Sequence, residues 1–260
     1  MAKIYYVGDW AIMLGPMFAE TPFNYAWKGT DFINYGKFLK AALESTGQHQ
    51  VDSVATWDFY RNPPGRLEEI YKEYDVVIFS DTEAKNFQLD PSFFDRSKFG
   101  GKPLTFPDRV RLTVEALKGG THMVFLGGWL SFNGECGKGG WGRTLLREIL
   151  PVECLTVEDL RENTEGFCMK PRNPKHPIFK SVDLSSTPPI LGYNIVKPRK
   201  GCPVLATWPE GDPALAVGKF GKGRTLAYTS DPAPHWGCNF ISWSQYNRFW
   251  SNAINWLLKG

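Results

Sequence analysis

Four sets of side chains in this sequence have the types and positions to do chemistry. Asp9 and Asp81 each follow a short apolar run, Lys3 to Val7 and Asp75 to Phe79. Runs of this kind read as buried strands, so each carboxylate is expected at a strand's carboxyl end. Facing each other there, they could bind hydroxyls, hold a metal, or share a proton as an acid/base pair. Equally, each could cap a helix or tighten a turn. His235 stands in Asp231-Pro232-Ala233-Pro234-His235-Trp236-Gly237. Asp231 could fix its tautomer for acid/base work. Trp129 and Ser131 lie on the glycine turn that ends the apolar run from Thr121 to Leu126, in Gly127-Gly128-Trp129-Leu130-Ser131. An indole there could stack on a flat ligand or plug a closed pocket, and Ser131 could anchor a polar group.

Other chemistry is weaker. Gly134 to Gly142 carries nine residues rich in glycine, with Lys138 inside and Arg143 just after. Backbone N–H groups in such a loop can cradle an anion, but neither common phosphate-loop register is present. A cover over the pocket is the competing reading. The cysteines are Cys136, Cys154, Cys168, Cys202 and Cys238, an odd number with no CxxC pair. A disulfide framework or zinc site is therefore not expected. Cys136 and Cys238 fall in loops near the presumed pocket and are candidates for a displaced nucleophile.

The elements that must position these groups follow from periodicity. Thr30-Asp31 reads as a helix start, with Phe32, Tyr35, Leu39, Ala42 and Leu43 repeating until Gly47. Val51 to Thr56 is a weaker strand and Leu67 to Tyr74 a short helix. Residues 82 to 104 read as irregular. Thr105-Phe106-Pro107-Asp108 opens a helix that Gly119-Gly120 ends. The order β-α-β-α-β-α-β implies a parallel sheet with helices on both faces. The expected fold is α/β, a flavodoxin-like three-layer sandwich with strand order 2-1-3-4. A helix over Leu145 to Leu150, a β-hairpin over Ala214 to Thr229 and an amphipathic helix from Tyr246 to Leu257 complete it. No linker divides the chain, so one domain over residues 1–260 is expected.

Composition narrows the partners. The 260 residues are 42% hydrophobic and 15% aromatic, with a net charge of +3 and no Lys/Arg block. That excludes general disorder and gives no support to nucleic-acid or membrane-surface binding. No apolar run reaches the ~18 residues of a membrane span, and the N-terminus lacks the pattern of a secretory signal. A cytoplasmic protein without a cofactor motif is expected. The long aromatic loop from Met13 to Phe23 is a candidate binding loop, with a flap over the sheet edge or an oligomer contact as the alternatives, and the aromatics at 13 to 27 and 87 to 99 are candidate homo-oligomer contacts.

The elbow, the glycine-rich loop, the Gly221-Lys222-Gly223-Arg224 hairpin and the Asp231 to Trp236 loop come in the order found in the class I glutamine amidotransferase-like superfamily. The chain resembles its uncharacterised bacterial members, relatives of ThuA-like proteins, over nearly its whole length. The resemblance implies a flavodoxin-like sheet and, in active members, a Gly-x-Cys-x-Gly elbow served by a late His-x-Glu. Here Trp129 occupies the cysteine position, Ser131 replaces the second elbow glycine, and Gly237 stands where the acid belongs; only His235 matches. An indole has no nucleophilic atom to replace a thiolate. Glutaminase chemistry by that triad is not expected. What remains is a binder of a small polar, carbohydrate-like ligand at Asp9, Asp81, Trp129, Ser131, Asp231 and His235. Two alternatives stay open: a hydrolase or isomerase using Asp9 or Asp81 with His235, with or without a metal, and a structural subunit.

Overall fold

A computed structural model describes residues 1–14, 17–21, 24–27, 29–95, 97 and 105–259. Eight strands form the central sheet: β1 (Ala2–Val7), β2 (His49–Val54), β3 (Val76–Phe79), β4 (His122–Leu126), β5 (Lys170–Pro171), β6 (Val204–Thr207), β7 (Pro213–Phe220) and β8 (Gly223–Tyr228). Their spatial order is β5-β6-β7-β8-β4-β3-β1-β2. Strands β2, β1, β3, β4 and β8 run parallel; β7, β6 and β5 alternate antiparallel beyond them. The expected 2-1-3-4 order is present, and the expected hairpin is β7–β8, which extends the sheet through β8.

Alternation along the strands makes two cores, because successive side chains leave opposite faces. Ile4, Tyr6, Val76, Ile78, Val124 and Leu126 point to one face. There they meet Leu39 and Leu43 of α1 (Lys37–Glu44) and Phe249, Trp250 and Ile254 of α6 (Tyr246–Leu258). Tyr5, Val7, Val77, Phe79, Met123 and Phe125 point to the other. That face is covered by α2 (Thr56–Arg61), α3 (Pro64–Glu73), α4 (Ala84–Gln88) and α5 (Arg109–Gly119). Each fully buried Leu, Ile or Phe contributes about 1.5–3 kcal/mol of transfer free energy, so the strands are held from both sides. Their carboxyl ends are thereby fixed.

Several boundaries differ from expectation. Thr30 does not open a helix: Thr30–Asn34 is a strand paired antiparallel with Trp10–Leu14, and α1 starts at Lys37. Phe32 and Tyr35 share the helical spacing of Leu39 by coincidence. Phe32 is 59% exposed on the ribbon, whereas Tyr35 N and Gly36 N both donate to Asp9 O at 2.8 and 3.1 Å. That tie to the exit of β1 overrides the local pattern. The described parts of the 13–27 segment form ladders, Met17–Thr21 with Asn24–Trp27; Gly15, Pro16, Pro22 and Phe23 lie outside the described residues. Within 82–104, α4 and a 3₁₀ turn over Pro91–Phe94 are ordered elements. Buried Arg109 explains part of this: its guanidinium donates to Tyr60 O, Leu89 O and Phe59 O at 2.7, 2.9 and 3.1 Å, lashing α2 and the end of α4 to α5. Residues 96 and 98–104 of that segment lie outside the described residues. The expected α-helix at Leu145 is a 3₁₀ turn over Leu145–Glu148, capped by Thr144. Pro151 follows too soon for a second α-turn to close.

Candidate active and binding site

Three parallel strands end in an aspartate: Gly8-Asp9 after β1, Ser80-Asp81 after β3 and Ser230-Asp231 beyond β8. Asp9 (φ 55°) and Asp81 (φ 44°) adopt the left-handed conformation, which Asp tolerates better than most residues. The chain leaves the sheet at each of these points. Gly8 has φ +116° and a Cβ there would lie 1.7 Å from Ser80 O, so the exits of β1 and β3 are in close contact. Gly128, on the elbow after β4, has φ +146°. A Cβ on it would lie 2.1 Å from Asp81 Oδ1 and 2.7 Å from Asp231 Oδ1. Two carboxylates thus converge on the α-carbon of Gly128, and only glycine admits them.

Crowding carboxylates in a low-dielectric site makes their ionisation costly. Asp9 accepts hydrogen bonds from Ser80 Oγ at 2.9 Å and from the Tyr6 hydroxyl. Burial still pushes its carboxyl up to about 6, against the pull of those two donors. Asp81 is raised well above the usual range, first by burial and then by the charges of Asp231 and Asp9; the Leu130 N–H, 2.8 Å from Oδ1, acts the other way. Asp231 is raised likewise by burial and by Asp9, and the Trp236 N–H at 3.3 Å from Oδ2 only partly offsets this. Its Oδ1 is buried without a hydrogen-bond partner among the described residues. All three carboxyls are thus shifted towards the protonated form, in which a carboxyl donates as well as accepts.

His235 closes the cluster. Its Nδ1 lies 3.1 Å from Asp231 Oδ2, and burial holds the imidazole below its ordinary range despite the acids around it. The neutral ring can accept a proton at one nitrogen. Nε2 is buried with no partner among the described residues. Trp129 packs edge-to-face on His235 with ring centroids 3.9 Å apart, and is itself 45% exposed. It is therefore a wall of the site with one open side. Its indole N–H donates to Glu162 Oε1 at 3.0 Å, and Trp236 donates to the same oxygen at 2.7 Å. Glu162, drawn below its ordinary range chiefly by the Trp129 bond, fixes both indoles around His235.

A second layer holds the elbow in place. Asn194 Oδ1 accepts from Gly128 N at 2.9 Å while its Nδ2 donates to Gly128 O and Asp159 Oδ1 at 3.1 and 3.0 Å. Asp159 in turn accepts from Asn133 N and Gly134 N, each at 2.9 Å. Ser131, fully buried, uses its Oγ to accept from Asp81 N at 3.1 Å, so it orients that aspartate.

The structure thus brings Asp9, Asp81, Asp231, His235 and Trp129 together and sets Ser131 behind them. Sequence reasoning missed Glu162, Asn194, Asp159, Ser80 and Tyr6. Only Ser80, adjoining Asp81 at a strand end, carried a local signal; the others stand in ordinary strand or loop contexts. The glycine-rich loop spends amides on protein acceptors: Glu135 N on Trp129 O at 2.7 Å, Cys136 N on Glu158 at 2.9 Å and Gly140 N on Asn133 O at 3.2 Å. These groups are engaged rather than presented to an anion. Cys136 is exposed and Cys238 partly buried. Among the described residues, no group of three or more His, Cys, Asp or Glu side chains is arranged to hold a metal ion. No described helix is long and apolar enough to cross a membrane.

Comparison with solved structures returns two cytoplasmic proteins of Salmonella typhimurium. One is 26% identical, with a TM-score of 0.86 over 98% of both chains. The other, from strain LT2, is 27% identical, with a TM-score of 0.86 over 98% of this chain and 99% of that one. A putative ThuA-like protein from Parabacteroides merdae shares the fold at 10% identity, with a TM-score of 0.51 over 99% of this chain and 90% of that one. Comparison with curated protein sequences finds no match. The profile of a family described as "putative glutamine amidotransferase" matches residues 22–259, and the chain belongs to that glutamine amidotransferase-like (GATase1-like) family.

Proposed function

We propose that this chain is a family member without triad glutaminase activity, which binds a small hydroxyl-rich, carbohydrate-like ligand at the strand carboxyl ends. The observation that carries this reading is the pair of buried, unpartnered polar atoms beside Trp129: Asp231 Oδ1 and His235 Nε2. Leaving a buried polar group unsatisfied costs about 1–3 kcal/mol, and a ligand that pairs with it recovers that cost. The chemistry of the cluster favours hydroxyls. A hydroxyl both donates and accepts, and so do carboxyls shifted towards the protonated form and an imidazole shifted towards the neutral one. The exposed side of Trp129 supplies a flat apolar surface for the C–H face of a sugar ring.

Titration calorimetry of the intact protein against a panel of monosaccharides, disaccharides and polyols tests this. At least one compound is expected to bind, with affinity lowered tenfold or more in Trp129→Ala and Asp231→Asn. Failure of every polyhydroxylated compound to bind, or binding that both substitutions leave intact, would remove the reading.

A second reading has its own support. His235 Nδ1 lies 3.1 Å from Asp231 Oδ2 and its Nε2 is buried without a partner among the described residues, so the imidazole stands beside a carboxyl as a general base would. Turnover of any compound on the same panel, abolished in His235→Ala, would favour a hydrolase or isomerase over a binder. The exposed apolar residues Ile12, Met13 and Phe32 support a third, a homo-oligomer contact through the N-terminal ribbon, which light scattering tests.

A further inference from the structure

A second charged region lies along α6, lined by none of the residues of the carboxylate cluster. Arg224 is the second residue of β8 and Asp231 lies seven residues further along, roughly 20 Å of extended chain away. Around Arg224, α6 and the turn after Pro177 enclose an open groove of about 700 Å³. Lys180, Arg224, Arg248 and Lys259 line it together with Asn252 and Asn255, and no lining residue is acidic. Among the described residues, no carboxylate forms an ion pair with any of the four cations. Asp183, two residues past Ser181, turns its carboxylate onto Ser185 N and Oγ at 3.1 and 2.6 Å.

The guanidinium groups are held in place with donors to spare. Arg224 donates to Trp256 O at 2.7 Å and lies over the Trp256 ring, 5.0 Å from its centroid. Arg248 donates to Ser181 O at 2.8 Å. Asn252 donates to Ile178 O and Lys180 O at 3.1 and 2.9 Å, which fastens the turn bearing Lys180 to the helix. Each guanidinium has five N–H donors, so most of them remain for a ligand.

Compensation of the helix dipole accounts for only part of this charge. Lys259 follows the C-terminus of α6, where a cation is favourable. Arg248 is the third residue of α6, at the end where the dipole disfavours a cation, and Lys180 lies outside any helix. Arg224 also bears on its surroundings: His122 and His176 are held below the ordinary imidazole range by burial first and by the Arg224 charge second.

We propose that this groove binds a phosphorylated small molecule carrying at least two anionic groups, of the size of a nucleoside diphosphate. Four cations on a groove with no acidic lining residue favour a ligand with more than one negative charge. Arginine forks match phosphate oxygens bidentately, and two of the four cations are arginine. The site is separate from the carboxylate cluster and does not depend on what that cluster binds.

The test is titration calorimetry of the intact chain at constant ionic strength with inorganic phosphate, pyrophosphate and ADP. Pyrophosphate and ADP are expected to bind at one site, at least about tenfold more tightly than phosphate. The double variant Lys180→Ala/Arg248→Ala, which changes only exposed side chains, is expected to lose at least tenfold in affinity while its thermal midpoint stays put. No binding of pyrophosphate or ADP at millimolar concentration would overturn the proposal. So would equal affinity in the double variant, or binding of duplex nucleic acid by a protein that ignores pyrophosphate.

Discussion

Two regions of the molecule, the carboxylate cluster and the basic groove along α6, treat charge in opposite ways. At the strand carboxyl ends, Asp9, Asp81 and Asp231 are drawn together beside Tyr6, Ser80, Leu130 and His235, and burial shifts their carboxyls upwards. Along α6, Lys180, Arg224, Arg248 and Lys259 surround an open groove with no acid on its walls. Both regions concentrate one sign of charge. One is buried and shifts its carboxyls towards the protonated form; the other is an open groove whose cations have no acid on its walls. Substitutions should therefore affect folding at the first region and ligand binding alone at the second.

The largest expected effect is at Gly128. Gly128→Ala places a methyl group among Asp81 and Asp231 at φ +146°, combining overpacking with backbone strain. A loss of about 3–5 kcal/mol is expected by urea denaturation. A loss below about 1 kcal/mol would mean that the carboxylates do not converge on this α-carbon.

Asp9→Asn comes next and acts through pH. The carboxyl of Asp9 is raised to about 6 in the fold, above its unfolded value of about 4, so the folded state binds the proton more tightly. Its contribution is complete below about pH 4 and is lost as pH rises through about 6. Relative to Asp9→Asn, the wild-type protein is expected to lose up to about 3 kcal/mol between pH 4 and 7, an upper bound because Asp9 is only partly shielded from water. Chemical denaturation of both proteins across that range measures it, and parallel curves would sever the link between burial and protonation here.

Trp129→Phe keeps a ring against His235 but removes the 3.0 Å bond to exposed Glu162. A cost of about 0.5–1 kcal/mol is expected by thermal unfolding. The smallest effect belongs to the other region: Lys180→Ala/Arg248→Ala should change stability by no more than about 0.5 kcal/mol. A large loss there would make the basic residues structural and erase the contrast.

Much of the sheet was legible because its strands are short apolar runs ending on polar residues, and Asp9 and Asp81 could be placed from those endings alone. The match of the Asp231–Trp236 loop to the family pattern pointed to His235. The remaining parts depend on contacts distant in sequence. Glu162 reaches Trp129 and Trp236 across 33 and 74 positions, and Asn194 reaches Gly128 across 66. The basic groove gathers cations from residues 180, 224, 248 and 259, so no local run of Lys and Arg announced it. The Thr30–Asn34 strand was misread for a related reason. Its pairing with Trp10–Leu14 is set by the partner strand and not by its own periodicity.

The account depends on carboxyl groups that keep protons at neutral pH because they are buried together. Carbon-13 NMR of the aspartate side chains, followed from pH 3 to pH 9, measures this directly in the ligand-free protein. It should show Asp9 titrating near 6 and at least one of Asp81 and Asp231 still protonated at pH 7. Three carboxyls all titrating near 4, as free aspartates do, would contradict it.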